Sequence, residues 1–168
     1  MNRGRNFFVL SAILALAIVA ALAQTPVRPL TEGVYQKWVD EDVAYIISPQ
    51  ERAEYLQLTS DRDRDNFIVQ FWLRRDPTPG TPENEFKEEH YRRLAYSNSH
   101  FADSRAGWKT DRARIYIVNG PPDEIQPIRR APGDELGHAG QIWRYRDGKQ
   151  FRFTDECDCG EYKLVGTH

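Results

Sequence analysis

The side chains of this 168-residue chain that could do chemistry fall in three places. Asp111, Asp123 and Glu124 flank one short apolar run. Carboxylates brought together can share acid–base work or hold a hard cation through oxygen. His90 sits at the margin of an apolar stripe, where it is a candidate base or ligand; such a position more often belongs to a hydrogen-bonded packing residue. Cys157 and Cys159 are the chain's only cysteines. Three states are open to them: a disulfide across Cys-x-Cys, two free thiols, or a thiolate metal loop completed by Asp155, His138 or His168. So short a disulfide loop is strained and easily reduced, although no thioredoxin-like unit surrounds it. There is no G-x-S-x-G elbow, no H-E-x-x-H pair and no phosphate-cradling Gly loop. Nothing calls for a cofactor.

Asp111, Asp123 and Glu124 belong to the stretch Gly107 to Ile125, and its composition reads as a corner, a strand and a hard turn. Gly107 has no Cβ and could take positive φ, letting Trp108 swing its large apolar face inward. Thr110 and Asp111 are short polar side chains suited to bonding nearby backbone N–H groups. Ala113, Ile115 and Ile117 alternate with Arg112, Arg114, Tyr116 and Val118, which predicts a strand. Asn119-Gly120-Pro121-Pro122-Asp123 ends it. Two readings follow. In the first, all of this is scaffold. In the second, Asp111, Asp123 and Glu124 converge as a carboxylate site, which requires the turn to fold back. Arg112 and Arg114 would equally make ordinary ion pairs.

The motifs Gly107-Trp108-Lys109-Thr110-Asp111 and Gly120-Pro121-Pro122-Asp123-Glu124 resemble the double signature of the GWxTD domain, a family of exported or cell-envelope proteins of bacteria. The resemblance covers the chain from roughly Val34 onward. It marks Gly107, Trp108, Thr110, Asp111, Gly120, Pro121, Pro122 and Asp123 as signature positions and implies a cell-envelope location. It supplies no reaction. Asp155 to Gly160 departs from the family pattern, in which a short turn leads to the last strand.

The elements that must position these residues are helices first and a sheet after. Val34, Tyr35 and Trp38 suit a short amphipathic helix. Val43 to Ile47 is a short strand or a buried connection. Ser48-Pro49-Gln50-Glu51 is a capping box with proline at the first helical position, opening a helix that ends near Leu58. Thr59 or Ser60 caps the next helix. That helix has a solvated charge run over Asp61 to Asp65 and an apolar stripe of Phe67, Ile68, Phe71 and Trp72. Asp76 to Gly80 is a stiff loop. Thr81, with Pro82 behind it, caps a helix in which Phe86, His90 and Leu94 share one face. After the Pro-Pro turn, Glu124 to Ile128 is a short strand and Asp134 to Gly140 a loop. Gln141 to Asp155 is a hairpin, with Trp143, Tyr145, Phe151 and Phe153 inward and a two-residue Asp147-Gly148 turn. Its outward arginines could meet an anionic partner. Glu161 to Val165 adds a last strand. The predicted fold is α+β, with N-terminal amphipathic helices packed on a C-terminal, mainly antiparallel β-sheet.

Arg3 and Arg5, the apolar run Phe7 to Ala23 and the ending Ala21-Leu22-Ala23 have the layout of a secretory signal peptide over residues 1–23, with Gln24 as the mature start. Residues 24–33, with Pro26 and Pro29, read as a linker, and 34–168 as one domain. Formal net charge is −2, and losing Arg3 and Arg5 with the leader takes it to −4, against a nucleic-acid surface. Mean hydropathy is −0.69 despite the leader. The expected protein is periplasmic or secreted, touches membrane only during export, and binds another envelope protein or a surface ligand. It is expected to be a non-catalytic interaction or structural module. The alternatives are an exported hydrolase using Asp111 and Asp123, with Glu124 and His90 in support, and a metal- or redox-responsive binder using Cys157 and Cys159.

Overall fold

A computed structural model of the chain describes residues 30–129 and 137–167. The leader, the first part of the linker, residues 130–136 and His168 lie outside them, and with them the first part of the loop expected from Asp134. Among the described residues five α-helices come first: α1 Leu30–Lys37, α2 Pro49–Leu56, α3 Asp61–Leu73, α4 Glu85–His100 and α5 Asp111–Asn119. Four strands follow, β1 Glu124–Ile128, β2 Ala139–Arg144, β3 Gln150–Asp155 and β4 Tyr162–Thr167, in one sheet of order β1-β2-β3-β4. Every pairing is antiparallel. The architecture is α+β, as predicted. No helix among the described residues is long and apolar enough to cross a membrane.

The helix starts follow local hydrogen-bond chemistry. Ser48 accepts from the Glu51 N–H and Glu51 reaches back to the Ser48 N–H, so the capping box forms with Pro49 at its first position. Ser60 caps α3. The start of α4 differs from the prediction. Its cap is Asn84, which accepts from the Lys87 N–H at 2.8 Å. Thr81 instead donates to the carbonyls of Thr78 and Glu83. Asn84 wins because its amide also donates to the Trp72 carbonyl at 2.8 Å, tying α4 to the end of α3. Helix α1 begins at Leu30, inside the stretch read as linker. It runs into a single π-turn, Trp38–Asp42, which buries Trp38 and Val39. Val43 to Ile47 then forms turns and no strand.

Two apolar cores result. Trp38, Val39, Val43, Tyr55, Phe71 and Trp72 fill one among the first helices. Leu94, Phe101, Ala113, Ile115, Ile117, Trp143 and Phe153 fill the other, between α4, α5 and the sheet. Tyr91 on α4 packs against both, so α4 is the shared wall.

The largest correction concerns Asp111 to Asn119, which is an α-helix and not a strand. Ala113, Ile115 and Ile117 are all buried, while Arg114 and Val118, one turn apart, are exposed. A helix covered on most of its circumference can mimic period-two burial over a short run.

The hairpin has the expected facing: Trp143 pairs with Phe151, and Trp143 and Phe153 are fully buried. Its turn is longer than two residues. The Tyr145 N–H donates to the Lys149 carbonyl at 3.0 Å, and Gly148 takes φ 91° to close the return.

Candidate functional site

The signature corner is built around a close approach. A Cβ placed on Gly107 would lie 2.2 Å from the Ser97 carbonyl oxygen and 2.6 Å from the Asn98 Cα. Glycine is required there because the backbone lies against α4; it does not occupy positive φ, contrary to the expectation. Gly107 to Lys109 forms one 3₁₀ turn. Trp108 is half-buried against the second core. Its backbone N–H donates to the Asn98 side-chain oxygen at 2.9 Å, and the Tyr45 hydroxyl donates to its carbonyl at 2.9 Å. The Lys109 ammonium lies 5.1 Å from its ring centre. Thr110 is buried and caps α5: its hydroxyl donates to the Gly107 carbonyl at 2.9 Å and accepts from the Ala113 N–H at 3.2 Å.

The signature acids are structural acceptors. Asp111 Oδ2 accepts from the Leu164 N–H of β4 at 2.8 Å, and Oδ1 lies 3.4 Å from the Arg114 guanidinium. Asp123 accepts from the Arg146 N–H at 2.8 Å, holding the hairpin turn, and pairs with the exposed Arg146 side chain at 2.7 Å. Glu124 pairs with Arg144 at 3.2 Å across β1 and β2. Asp111 opens α5 and Asp123 follows its end. A nine-residue helix, about 13 Å long, separates them, so the convergent cluster does not form.

Gly120 ends α5 at φ 83°, donating to the Tyr116 carbonyl, and its own carbonyl accepts from Tyr145 at 3.0 Å. Two arginines complete the corner, and sequence reasoning missed the part each plays. Arg93 on α4, held by Glu89, points its guanidinium at the Ile117 carbonyl, 3.3 Å away, where the α5 dipole is negative. Arg112 lies between the rings of Phe101 and Tyr162, 5.1 and 4.1 Å from their centres. Only a contact map of α4 and β4 would have signalled either.

His90 is buried, and its Nε2 lies 2.6 Å from the Asp42 carbonyl. Because a carbonyl only accepts, the neutral ring carries its proton on Nε2. Burial lowers its pKa. The ring is surrounded by Trp72, Phe86 and Tyr91, the packing arrangement anticipated. It borders a cavity of about 260 Å³ with Phe86, Arg93 and Ile117. A second cavity, about 400 Å³, opens beside Tyr35, Trp38, Asp65 and Tyr91. Neither is lined by Asp111, Asp123 or Glu124.

Cys157 and Cys159 are joined in a disulfide. Their sulfurs and a carboxylate oxygen of Asp155 lie within 4.8 Å of one another. With both sulfurs bonded to each other, no thiolate is available to a metal. His138 is exposed and does not join this group among the described residues. His168 lies outside them.

A corner made of Gly107, Trp108, Thr110 and Asp111 and a helix stop made of Gly120 to Asp123 define a class of helix-on-sheet domain by its internal clamps. The GWxTD domain family matches residues 33–158, and the chain belongs to it. No curated protein and no solved structure matches the chain.

Proposed function

We propose that this chain is an exported bacterial cell-envelope domain that acts as a non-catalytic interaction or structural module. The observation that carries the reading is the state of the signature acids. Both oxygens of Asp111 face protein groups, one of them a backbone N–H on another element, and Asp123 is engaged in the same way. A carboxylate committed to a backbone N–H is poorly placed to move protons or bind substrate. The hydrolase alternative would need Asp111 and Asp123 at one site, and they flank opposite ends of α5.

The leader supports export: two arginines, an apolar run and a small-x-small ending. In this reading the mature chain starts at Gln24, resides in the periplasm or outside the cell, and meets membrane only in transit. Its partner is another envelope protein or a surface ligand, and not nucleic acid.

The experiment is intact-mass measurement of the protein recovered from envelope and cytoplasmic fractions, joined to alanine substitution at Asp111 and Asp123. The reading expects an envelope species starting at Gln24, and variants that lose stability in parallel with any binding they retain. A cytoplasmic species keeping Met1, or variants of full stability that lose a hydrolytic activity, would contradict it.

A further inference from the structure

The loop between β3 and β4 lies outside the signature corner, and Arg112 of α5 touches it at the Gly160 carbonyl, 3.5 Å away. The loop carries the only cysteines of the chain, bonded to each other and both exposed. A bond closing so short a loop constrains the unfolded chain far less than one joining distant segments. The strands on either side are already paired by their own ladder. The disulfide is therefore badly placed to act as a staple.

Asp158, inside the ring, has φ 52°, a conformation that Asp adopts readily in a tight turn. One observation points to chemistry instead. Asp155 is 5 % exposed and turns its carboxylate into the loop. It accepts from the Cys159 N–H at 3.1 Å and the Gly160 N–H at 2.8 Å, and its Oδ1 lies 3.4 Å from the Cys157 sulfur.

We infer that Cys157–Cys159 is a thiol–disulfide exchange centre that accepts two electrons from uncharged or cationic dithiols. A substrate thiolate attacks the Cys159 sulfur, forming a mixed disulfide and breaking the Cys157–Cys159 bond. Cys157 leaves with the electron pair and takes a proton from solvent. The second substrate thiol, giving its proton to solvent, then attacks the substrate sulfur of the mixed disulfide. It displaces Cys159, which is protonated in turn. The substrate dithiol is oxidised to a disulfide, and the protein disulfide is reduced to two thiols. The new Cys157 thiol finds an acceptor in Asp155 Oδ1, which favours the reduced form and makes the disulfide a better oxidant. The charge preference comes from the rim. Four acids, Asp155, Glu156, Asp158 and Glu161, stand in or beside the loop against three cations: Lys163, paired with Glu156 at 3.1 Å, Arg112, 3.5 Å from the Gly160 carbonyl, and Arg105, which faces Glu161 and is paired with Asp103 at 2.7 Å. An anionic thiol is repelled from such a rim at low salt.

The test uses the whole folded protein. Dithiothreitol should reduce the bond with the near-ultraviolet circular dichroism unchanged, and Cys157→Ser/Cys159→Ser should melt with the wild type. Cysteamine should reduce it about tenfold faster than glutathione at low salt, each rate normalised to thiolate concentration and to hydroxyethyl disulfide. Asp155→Ala should lower the equilibrium constant for oxidising dithiothreitol about tenfold. Reduction that occurs only with unfolding, or a double-serine variant melting several degrees lower, would show a staple and overturn the inference. Equal normalised rates would overturn the substrate class, and an unchanged constant in Asp155→Ala would overturn the part given to Asp155.

Discussion

At Gly107 a single hydrogen stands where any other residue would place a carbon inside backbone. Ser97 and Asn98 cannot yield without moving α4, so Gly107→Ala should cost about 1–3 kcal/mol by overpacking, or prevent folding. Urea denaturation checks this; an unchanged midpoint would mean that α4 lies farther off. His90 makes a second prediction, with pH. Its folded pKa is lowered by burial, so the unfolded chain binds the extra proton first. Stability should be full above the unfolded value near 6.5 and fall as pH drops through and below it. His90→Gln should flatten that fall in urea melts across pH 5 to 8. The glycine was legible in the sequence as a special position, but for the wrong reason. Turn chemistry is local, whereas the approach of α4 is a tertiary fact. His90 was legible as a packing residue because its stripe with Phe86 and Leu94 has helical spacing.

Among the elements, the ones set by side-chain-to-backbone bonds within three or four residues could be read directly. Ser48 with Glu51 is such a case; the cap of α3 was narrowed to Thr59 or Ser60, and Ser60 is the one that forms. Helix α5 could not. Its alternating Ile115 and Ile117 satisfy the strand pattern, and only the walls supplied by α4 and the sheet explain their joint burial. The one local sign of a helix was Thr110 followed by Asp111, a cap and a first-turn acid. Thr110→Ala should therefore destabilise by about 1–2 kcal/mol, while Thr110→Ser should recover most of the loss. Thermal melts of the pair distinguish a cap from simple packing of the methyl group, which serine would not restore. Helices α2 and α3 give a further test. Glu51 accepts from Arg75 and Arg74, chiefly Arg75, and its pKa is lowered to about 2. Because the folded value lies below the unfolded one, this contribution is present above about pH 4.3 and is lost as pH falls toward 2. The stability gap between wild type and Glu51→Gln should close over that interval.

For the whole molecule, the expected order of helices then sheet is correct, and the hairpin faces are correct because aromatic alternation is a strong local signal. The division into two cores with α4 between them was not legible, since it depends on which helix contacts which. Nor could the sequence separate a carboxylate cluster from two carboxylates on opposite sides of a helix. That distinction decides the function proposed here. Asp111 is a clamp from the start of α5 to the last strand, and the signature joins the helical half to the sheet through it. The most direct test is Asp111→Ala, followed by urea unfolding together with amide hydrogen exchange at Leu164. A clamp predicts a loss of about 1–3 kcal/mol and markedly faster exchange of that one amide. Unchanged stability with Leu164 equally protected would contradict it and return Asp111 to the role of a site.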